Sequence, residues 1–412
     1  MDGPPPTAIT PHYRTPAVNE PVPLATGPLI MRHGNRCEPL PEGAAKFAWL
    51  PLPGVVVTAA WSGVHSPEVR IEGSTVSLDA SFAITRVGSS GVRAESDGLV
   101  YIHRSTSRSP ALCQADLHVL NLPRVVGNAV RDGNNGLAME RQSWRFGVWT
   151  MTMDPLFVPK HLVDRAKEVR GNLLTHVVRV TRTDGAPFDA AQLGQVIDDL
   201  HLALSFVFGD DIGAVLAAGR DESGDVVLEL LCPYPCDGWR PRSGPAPRES
   251  GISEMMTALG TLLNRPTDGV REAIVYYLEA CYGMVESTVL LALASMDRLA
   301  DHCLVGTRKL LTEAEYDDKK RSVAQNVREA MQTLEIPTTV EGQEMDLPAL
   351  IASSRNRVHV RPRAKRVEPV AIYLQALQTA ELMVLALAGY RGLYHPRGAR
   401  RATDEILVPW AK

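Results

Sequence analysis

The sequence predicts an α+β protein: a β-rich N-terminal domain followed by an all-α C-terminal domain. Two observations carry this. As far as about residue 236 the text consists mainly of short β-branched or aromatic runs between Gly, Ser, Asp and Asn clusters, the signature of strands and turns. From Gly251 onward apolar residues recur at helical spacing over long stretches, as amphipathic and buried helices require. Between the two lies Asp237 to Ser250, DGWRPRSGPAPRES, with three Pro, two Gly, three Arg and no apolar period. That composition predicts an interdomain linker over 237–250.

At 412 residues, 45% hydrophobic and 22% charged, the chain is long enough for two domains with substantial cores. A formal charge of −4 argues against a protein built throughout to coat nucleic acid, so any RNA contact must be local. The six Cys are scattered without short repeated spacings, which points to a reducing, cytoplasmic home. The first residues lack the apolar stretch of a signal peptide, and the longest apolar runs are too short to span a bilayer; no membrane partner is expected.

In chain order, residues 1–25 are Pro-rich with almost no periodic apolar pattern and are expected to form a disordered or loosely docked arm. Residues 26–236 form the β-rich domain, expected to be a sensor or regulatory module. Its runs are Gly54 to Trp61, Val69 to Glu72, Ser77 to Arg86, Leu99 to Arg104 and Ser143 to Met153. In the last run, taken as one strand, Trp144 and Phe146 share one face while Trp149 and Met151 share the other. Then come a strand at Thr175 to Thr183, a turn at Asp184-Gly185, a helix from about Ala190 to Phe208, and strands at Gly213 to Ala218 and Val226 to Leu231. Cys232 and Cys236 supply only half a tetrahedral metal set, and the nearest His in sequence, His201, belongs to the helix; no metal and no cofactor is assigned.

The C-terminal domain, 251–412, is predicted as a helical bundle. Val270 to Leu304 is expected as one long helix, followed by a polar helix from about Thr312 to Leu334, a segment from Asp346 to Val358, and an apolar helix from Glu368 to Gly389. Thr312 and Glu315 have capping-box spacing, and Gly389 is placed as a C-cap. The tail is expected to fold back through Tyr390, Tyr394 and Trp410. On the long helix, Glu272, Glu279, Glu286 and Asp297 fall within about 40° of one another. Glu286, costly to bury unpaired, is assigned as a supporting residue with an Arg as partner; the alternative is a stripe that faces solvent or the β domain.

Chemistry concentrates in Ile351 to Arg366, IASSRNRVHVRPRAKR. Were the helix to continue through it, Arg355 and His359, four apart, would lie on one face with about 5–6 Å between Cβ atoms. A fixed cation beside a group titrating near neutrality suits phosphodiester chemistry in RNA: the imidazole moves the 2′-hydroxyl proton and the guanidinium meets charge developing on phosphorus. The alternative is a helix end dressed with basic residues and stopped by Pro362. Arg357, Arg361, Arg363, Lys365 and Arg366 join Arg355 to make six cations in twelve positions, the candidate RNA-binding surface. No phosphate loop, dinucleotide fingerprint, zinc-protease or nucleophile-elbow motif occurs in the chain.

RNRVH, lying between apolar helical segments, resembles the HEPN superfamily, whose mark is an Arg, often followed by Asn, with a His shortly after. The stretch LHLALSFVFGDDIGAVLAAGRDESGD, Leu200 to Asp225, followed by Trp239, looks like bacterial HEPN-bearing proteins of the ApeA type, associated with abortive infection. The resemblance implies a HEPN-like helical bundle and a metal-independent endoribonuclease with Arg355, Asn356 and His359 as catalytic residues. It further implies a homodimer with a composite site, a defence or toxin-like role, and a phage-derived or nucleotide activator at the N-terminal domain. Only three residues separate Arg355 from His359, fewer than the family's usual four to six. The competing reading is therefore a non-catalytic RNA- or nucleotide-binding or dimerisation module; a purely structural scaffold is the third.

Overall fold

The structure is a computed structural model that describes residues 4–33, 36–49, 54–59, 70–73, 77–79, 82–88, 91–96, 100–103, 110–132, 136–232, 234, 238–239, 244–247, 251–265, 268–283, 285–338, 346, 348–349, 351, 369–397 and 406–411. Strands dominate the N-terminal half and helices the C-terminal half, so the protein is α+β. The chain divides into two compact units. The first comprises Met1–Ser143, Val148–His201 and Asp211–Pro241; the second comprises Trp144–Gly147, Leu202–Asp210 and Arg242–Lys412.

Among the described residues, the first unit is built on a 15-stranded sheet. Its strands are β1 (Val22–His33), β2 (Arg36–Ala48), β3 (Gly54–Ala59), β4 (Arg70–Gly73), β5 (Ser77–Asp79), β6 (Phe82–Gly88), β7 (Gly91–Ser96), β8 (Val100–His103), β9 (Gln114–Leu120), β10 (Asn128–Arg131), β11 (Leu137–Phe146), β12 (Trp149–Pro155), β13 (Leu174–Arg182), β14 (Ala214–Arg220) and β15 (Val226–Leu231). They are ordered β10-β11-β12-β13-β9-β14-β15-β8-β5-β4-β1-β2-β3-β7-β6. Helices α1 (Lys160–Val169) and α2 (Ala190–Phe208) interrupt the strands. Asp189 caps α2: its carboxylate accepts from Gln192 N–H at 2.8 Å, and the Gln192 side chain accepts from Asp189 N–H at 3.1 Å, so two otherwise orphaned donors are met reciprocally.

One reading of this half is corrected. Ser143 to Met153 is a hairpin rather than one strand: Gly147, at φ +61°, turns the chain between β11 and β12, a conformation open to glycine because it has no Cβ. The Pro-rich arm, expected as disordered or loosely docked, is docked over its described residues. Pro6 and Ala8 bond the backbone of Arg131 at 3.0 and 2.7 Å, and Ile9, Tyr13 and Thr15 are buried on alternate positions of an extended chain.

Strand β9 lies inside the sheet and is buried from Ala115 to Leu120. Pairing register sets Asp154, Val177, His118, Leu216 and Leu231 in one row across β12, β13, β9, β14 and β15, and Thr152, Arg179, Asp116, Ala218 and Glu229 in the next. Directly opposed residues project to the same face, so Asp116, His118, Asp154 and Glu229 share one side of the sheet. All four are buried. Arg141 binds Asp154 through two hydrogen bonds of 2.7 and 2.6 Å, and Arg179 and Arg220 both reach Asp116, at 2.8 and 3.3 Å.

The second unit contains α3 (Ile252–Leu263), α4 (Asp268–Tyr282), α5 (Val285–Asp301), a π-helical turn (His302–Thr307), α6 (Glu313–Tyr316), α7 (Val323–Thr333) and α8 (Pro369–Leu387). The single helix expected over Val270 to Leu304 is broken at Gly283 into α4 and α5, which run antiparallel. Ser295 donates to Ala273 O and Thr288 to Ala280 O, each at 2.8 Å. The acidic stripe is broken with it: Glu272 and Glu279 lie on α4, Glu286 and Asp297 on α5. The helix expected over Thr312 to Leu334 is likewise two helices. Thr312 and Glu315 form the capping box of α6, and Ser322 caps α7. Gly389, at φ +72°, ends α8 in the left-handed conformation that glycine favours. Beyond it the tail folds back: Trp410 Nε1 donates to Tyr390 O at 2.6 Å, and Gln378 on α8 donates to the Tyr394 hydroxyl at 3.2 Å. No helix among the described residues is long and apolar enough to cross a membrane.

Candidate functional site in the helical unit

Arg355, Asn356, Arg357, His359, Arg361, Arg363, Lys365 and Arg366 all lie outside the described residues. In the chain their segment follows Ile351, a buried helical residue, and precedes α8. Glu286 stands in the first turn of α5, and its side chain is outside the described set. Cys236 is also outside it, whereas Cys232 is buried, which pushes its thiol far above the ordinary range; buried, protonated thiols are inert. His201 lies on α2, as expected, with Nδ1 3.1 Å from Ile212 O.

What the helical unit displays instead is a cleft of about 790 Å³ where α5 passes into the π-helical turn. Its lining includes Arg265, Asp297, Arg298, Asp301, His302, Glu313, Tyr316 and Asp317. The π-turn widens the helix so that Arg308 N–H reaches Cys303 O at 2.8 Å, a local insertion of the kind found where helices shape sites. Arg298 is drawn to Glu272 at 3.2 Å, so part of the predicted acidic stripe is neutralised across the α4–α5 pair. The Tyr316 hydroxyl donates to the Asp297 carboxylate at 2.7 Å. Partial burial raises the Asp301 carboxyl, with Arg298 opposing and the neighbouring acids reinforcing the shift. Burial and then Arg265 lower His302, favouring the neutral imidazole. Four carboxylates against two guanidiniums make this cleft a better host for hydrogen-bond donors and cations than for phosphate.

A second constellation was missed at the sequence level. Glu381 on α8 is fully buried and accepts from Tyr277 on α4 and from Arg397 of the tail, each at 2.6 Å. Arg397 also donates to the Tyr277 hydroxyl at 2.6 Å and to Cys281 Sγ at 3.2 Å. Burial raises the Glu381 carboxyl against the pull of Arg397 and Tyr277, and burial raises Tyr277 well above its usual range. The group ties α4, α8 and the tail into one polar knot. The signal that could have found it is a lone acid, Glu381, inside the apolar run of α8, which demands a buried partner.

Comparison with known proteins finds two successive stretches of the chain similar to described domain families. Residues 107–242 match the family model described as the YopA central domain, and residues 265–407 match that of the YopA C-terminal domain. The chain is similar over nearly its whole length to the SPbeta prophage-derived uncharacterized protein YopA of Bacillus subtilis (strain 168), with 22% identity over 426 residues covering 95% of this chain and 96% of that one. No solved structure matches. None of these descriptions names an activity.

Proposed function

We propose that the helical unit is a HEPN-like RNA-acting module, a metal-independent endoribonuclease whose catalytic residues are Arg355, Asn356 and His359. The observation that carries this reading is the motif itself: an Arg-Asn pair and a His set among six cations, in a chain of net charge −4. In this scheme His359 takes the 2′-hydroxyl proton, Arg355 stabilises the phosphorane and Asn356 orients the phosphate or the guanidinium. RNA is held by Arg357, Arg361, Arg363, Lys365 and Arg366. Two copies complete the site as a homodimer in the cytoplasm, and a phage-derived or nucleotide signal acts through the N-terminal unit. The prophage origin of the relative fits a defence or toxin-like role in phage–host conflict. The short Arg355–His359 spacing favours a second reading, a non-catalytic RNA- or nucleotide-binding or dimerisation module.

Cleavage of end-labelled RNA by the purified full chain, with chelator present, separates the two. The enzyme reading expects cleavage that Arg355→Ala and His359→Ala abolish, the latter by roughly 10²- to 10⁴-fold, with Asn356→Ala milder and the thermal midpoint nearly unmoved. Wild type that binds RNA yet leaves it intact, with and without candidate activators, hands the function to the binding module. Cleavage that survives His359→Ala would move the active site elsewhere.

A further inference from the structure

The N-terminal arm is held on the sheet by an unusual set of contacts. Ile9 N–H donates to the buried Asp154 carboxylate at 2.8 Å, and Tyr13 N–H donates to the buried His118 Nε2 at 3.0 Å. His12 Nε2 lies 2.5 Å from the carboxylate of the buried Glu229, and Thr7 O accepts from Arg141 at 2.9 Å. Thr15 Oγ1 accepts from Leu174 N–H at 3.1 Å. Tyr13 packs edge-on against His118 with ring centroids 5.1 Å apart. Sheet side chains from β9, β11, β12 and β15 thus read the backbone and alternate side chains of an extended peptide. Pro11, which has no N–H to satisfy, stands between the two donating residues.

We propose that this face of the sheet is a peptide-binding groove whose resident occupant is the chain's own arm, and that the arm is exchanged for a matching segment of a protein partner. The chemistry of the groove defines that segment: an extended peptide with a branched apolar residue, an imidazole or cation three positions later, and an aromatic directly after it. An empty groove is costly, because the hydrogen bonds from the arm to Asp154, His118 and Glu229 and the burial of Ile9 and Tyr13 are lost together. Replacement of one donor set by another avoids that cost. Exchange is therefore favoured over simple opening, and the resident arm, tethered at high effective concentration, screens out weak competitors.

The test uses the full chain and a fluorescent synthetic peptide of residues 4–20, followed by anisotropy. The double variant His12→Ala/Tyr13→Ala weakens the resident arm but leaves the groove unchanged. It is expected to bind the peptide at least tenfold more tightly than wild type, and a peptide carrying the same two changes is expected not to bind. Equal binding to wild type and variant would place the peptide elsewhere and overturn the proposal, as would a folded variant that binds nothing. A second measurement needs no variant: excess unlabelled peptide should speed hydrogen exchange at the Ile9 and Tyr13 amides of the wild-type chain. Unchanged protection in saturating peptide, with no binding to the variant, would make the arm a permanent part of the fold.

Discussion

His118 shows how a single residue couples the sheet to pH. Its two ring nitrogens are engaged by Leu216 O at 3.1 Å and Tyr13 N–H at 3.0 Å, and burial depresses its pKa from the ordinary 6.5 to about 4. Between those values the unfolded chain binds the proton and the folded chain does not. Stability therefore falls as pH drops from 6.5 toward 4, by about 1.4 kcal/mol per pH unit and on the order of 3 kcal/mol in all. Urea unfolding at several pH values across that window is expected to show this loss, and His118→Gln, lacking the titration, should flatten the curve there. The Arg397–Glu381–Tyr277 knot gives a second residue-scale outcome. Arg397→Met leaves a buried carboxyl without its cation and should cost roughly 3–5 kcal/mol. Adding Glu381→Leu should recover much of that loss, since no buried charge then remains; a double variant as unstable as the single one would refute this account. Neither group could be assembled from sequence. Asp116 and His118 alternate with Ala115, Leu117 and Val119 in a run that looks half-exposed; what covers the polar side comes from elsewhere in the chain, Tyr13 of the arm on His118 and Arg179 and Arg220 on Asp116. The residues that sequence reasoning did single out, Arg355 to Arg366, are visible as composition because cations crowd together there; partners such as Arg397 and Glu381 are sixteen residues apart and announce nothing locally.

At the scale of elements, legibility followed the strength of local signals. The strands over β13, β14 and β15 and the helix α2 lie close to their expected limits, because alternation or helical period is bounded there by Gly, Asp and Asn turns. The errors share a cause: where apolar character runs on through a turn, composition hides it. Gly283 sits in a continuously apolar stretch, so α4 and α5 look like one helix, and Gly147 sits among aromatics, so β11 and β12 look like one strand. The second break is directly testable. A Cβ at position 147 would lie 2.4 Å from the Asn264 side chain, at a φ of +61°. Gly147→Ala is expected to lose about 1–3 kcal/mol from backbone strain plus the cost of displacing Asn264. Adding Asn264→Gly should restore only the steric part, measured as the shift in denaturant midpoint. The Thr312–Glu315 cap, by contrast, was legible because its spacing is fixed, whereas Ser322 was hidden inside what reads as one helix. Ser322 accepts from Gln325 N–H at 3.2 Å, and Ser322→Ala should cost about 1 kcal/mol.

For the whole molecule, the division into a strand-rich and a helical half was plain from periodicity, while the membership of the units was not. Trp144–Gly147 and Leu202–Asp210 belong with the helices, because packing rather than sequence adjacency assigns them. The electrostatics argue at this scale too. A chain of net charge −4 whose described cleft carries Asp297, Asp301, Glu313 and Asp317 should repel RNA there, so the proposed RNA affinity is expected to depend on the basic segment. Each phosphate neutralised on a single strand contributes a slope of about −0.7 in log K against log salt. Titrating a short single-stranded RNA at several salt concentrations is expected to give a steep slope for wild type. Replacing Arg357, Arg361, Arg363, Lys365 and Arg366 by Gln one at a time should flatten it stepwise, by about 0.7 for each phosphate no longer neutralised. Substituting Asp301 and Asp317 by Asn should tighten binding most at low salt and so steepen the slope slightly, since the long-range repulsion that is relieved is itself screened by salt. A slope unchanged by the Gln series, with affinity intact, would show that the basic segment is a solvated helix end and that RNA, if bound, is held elsewhere.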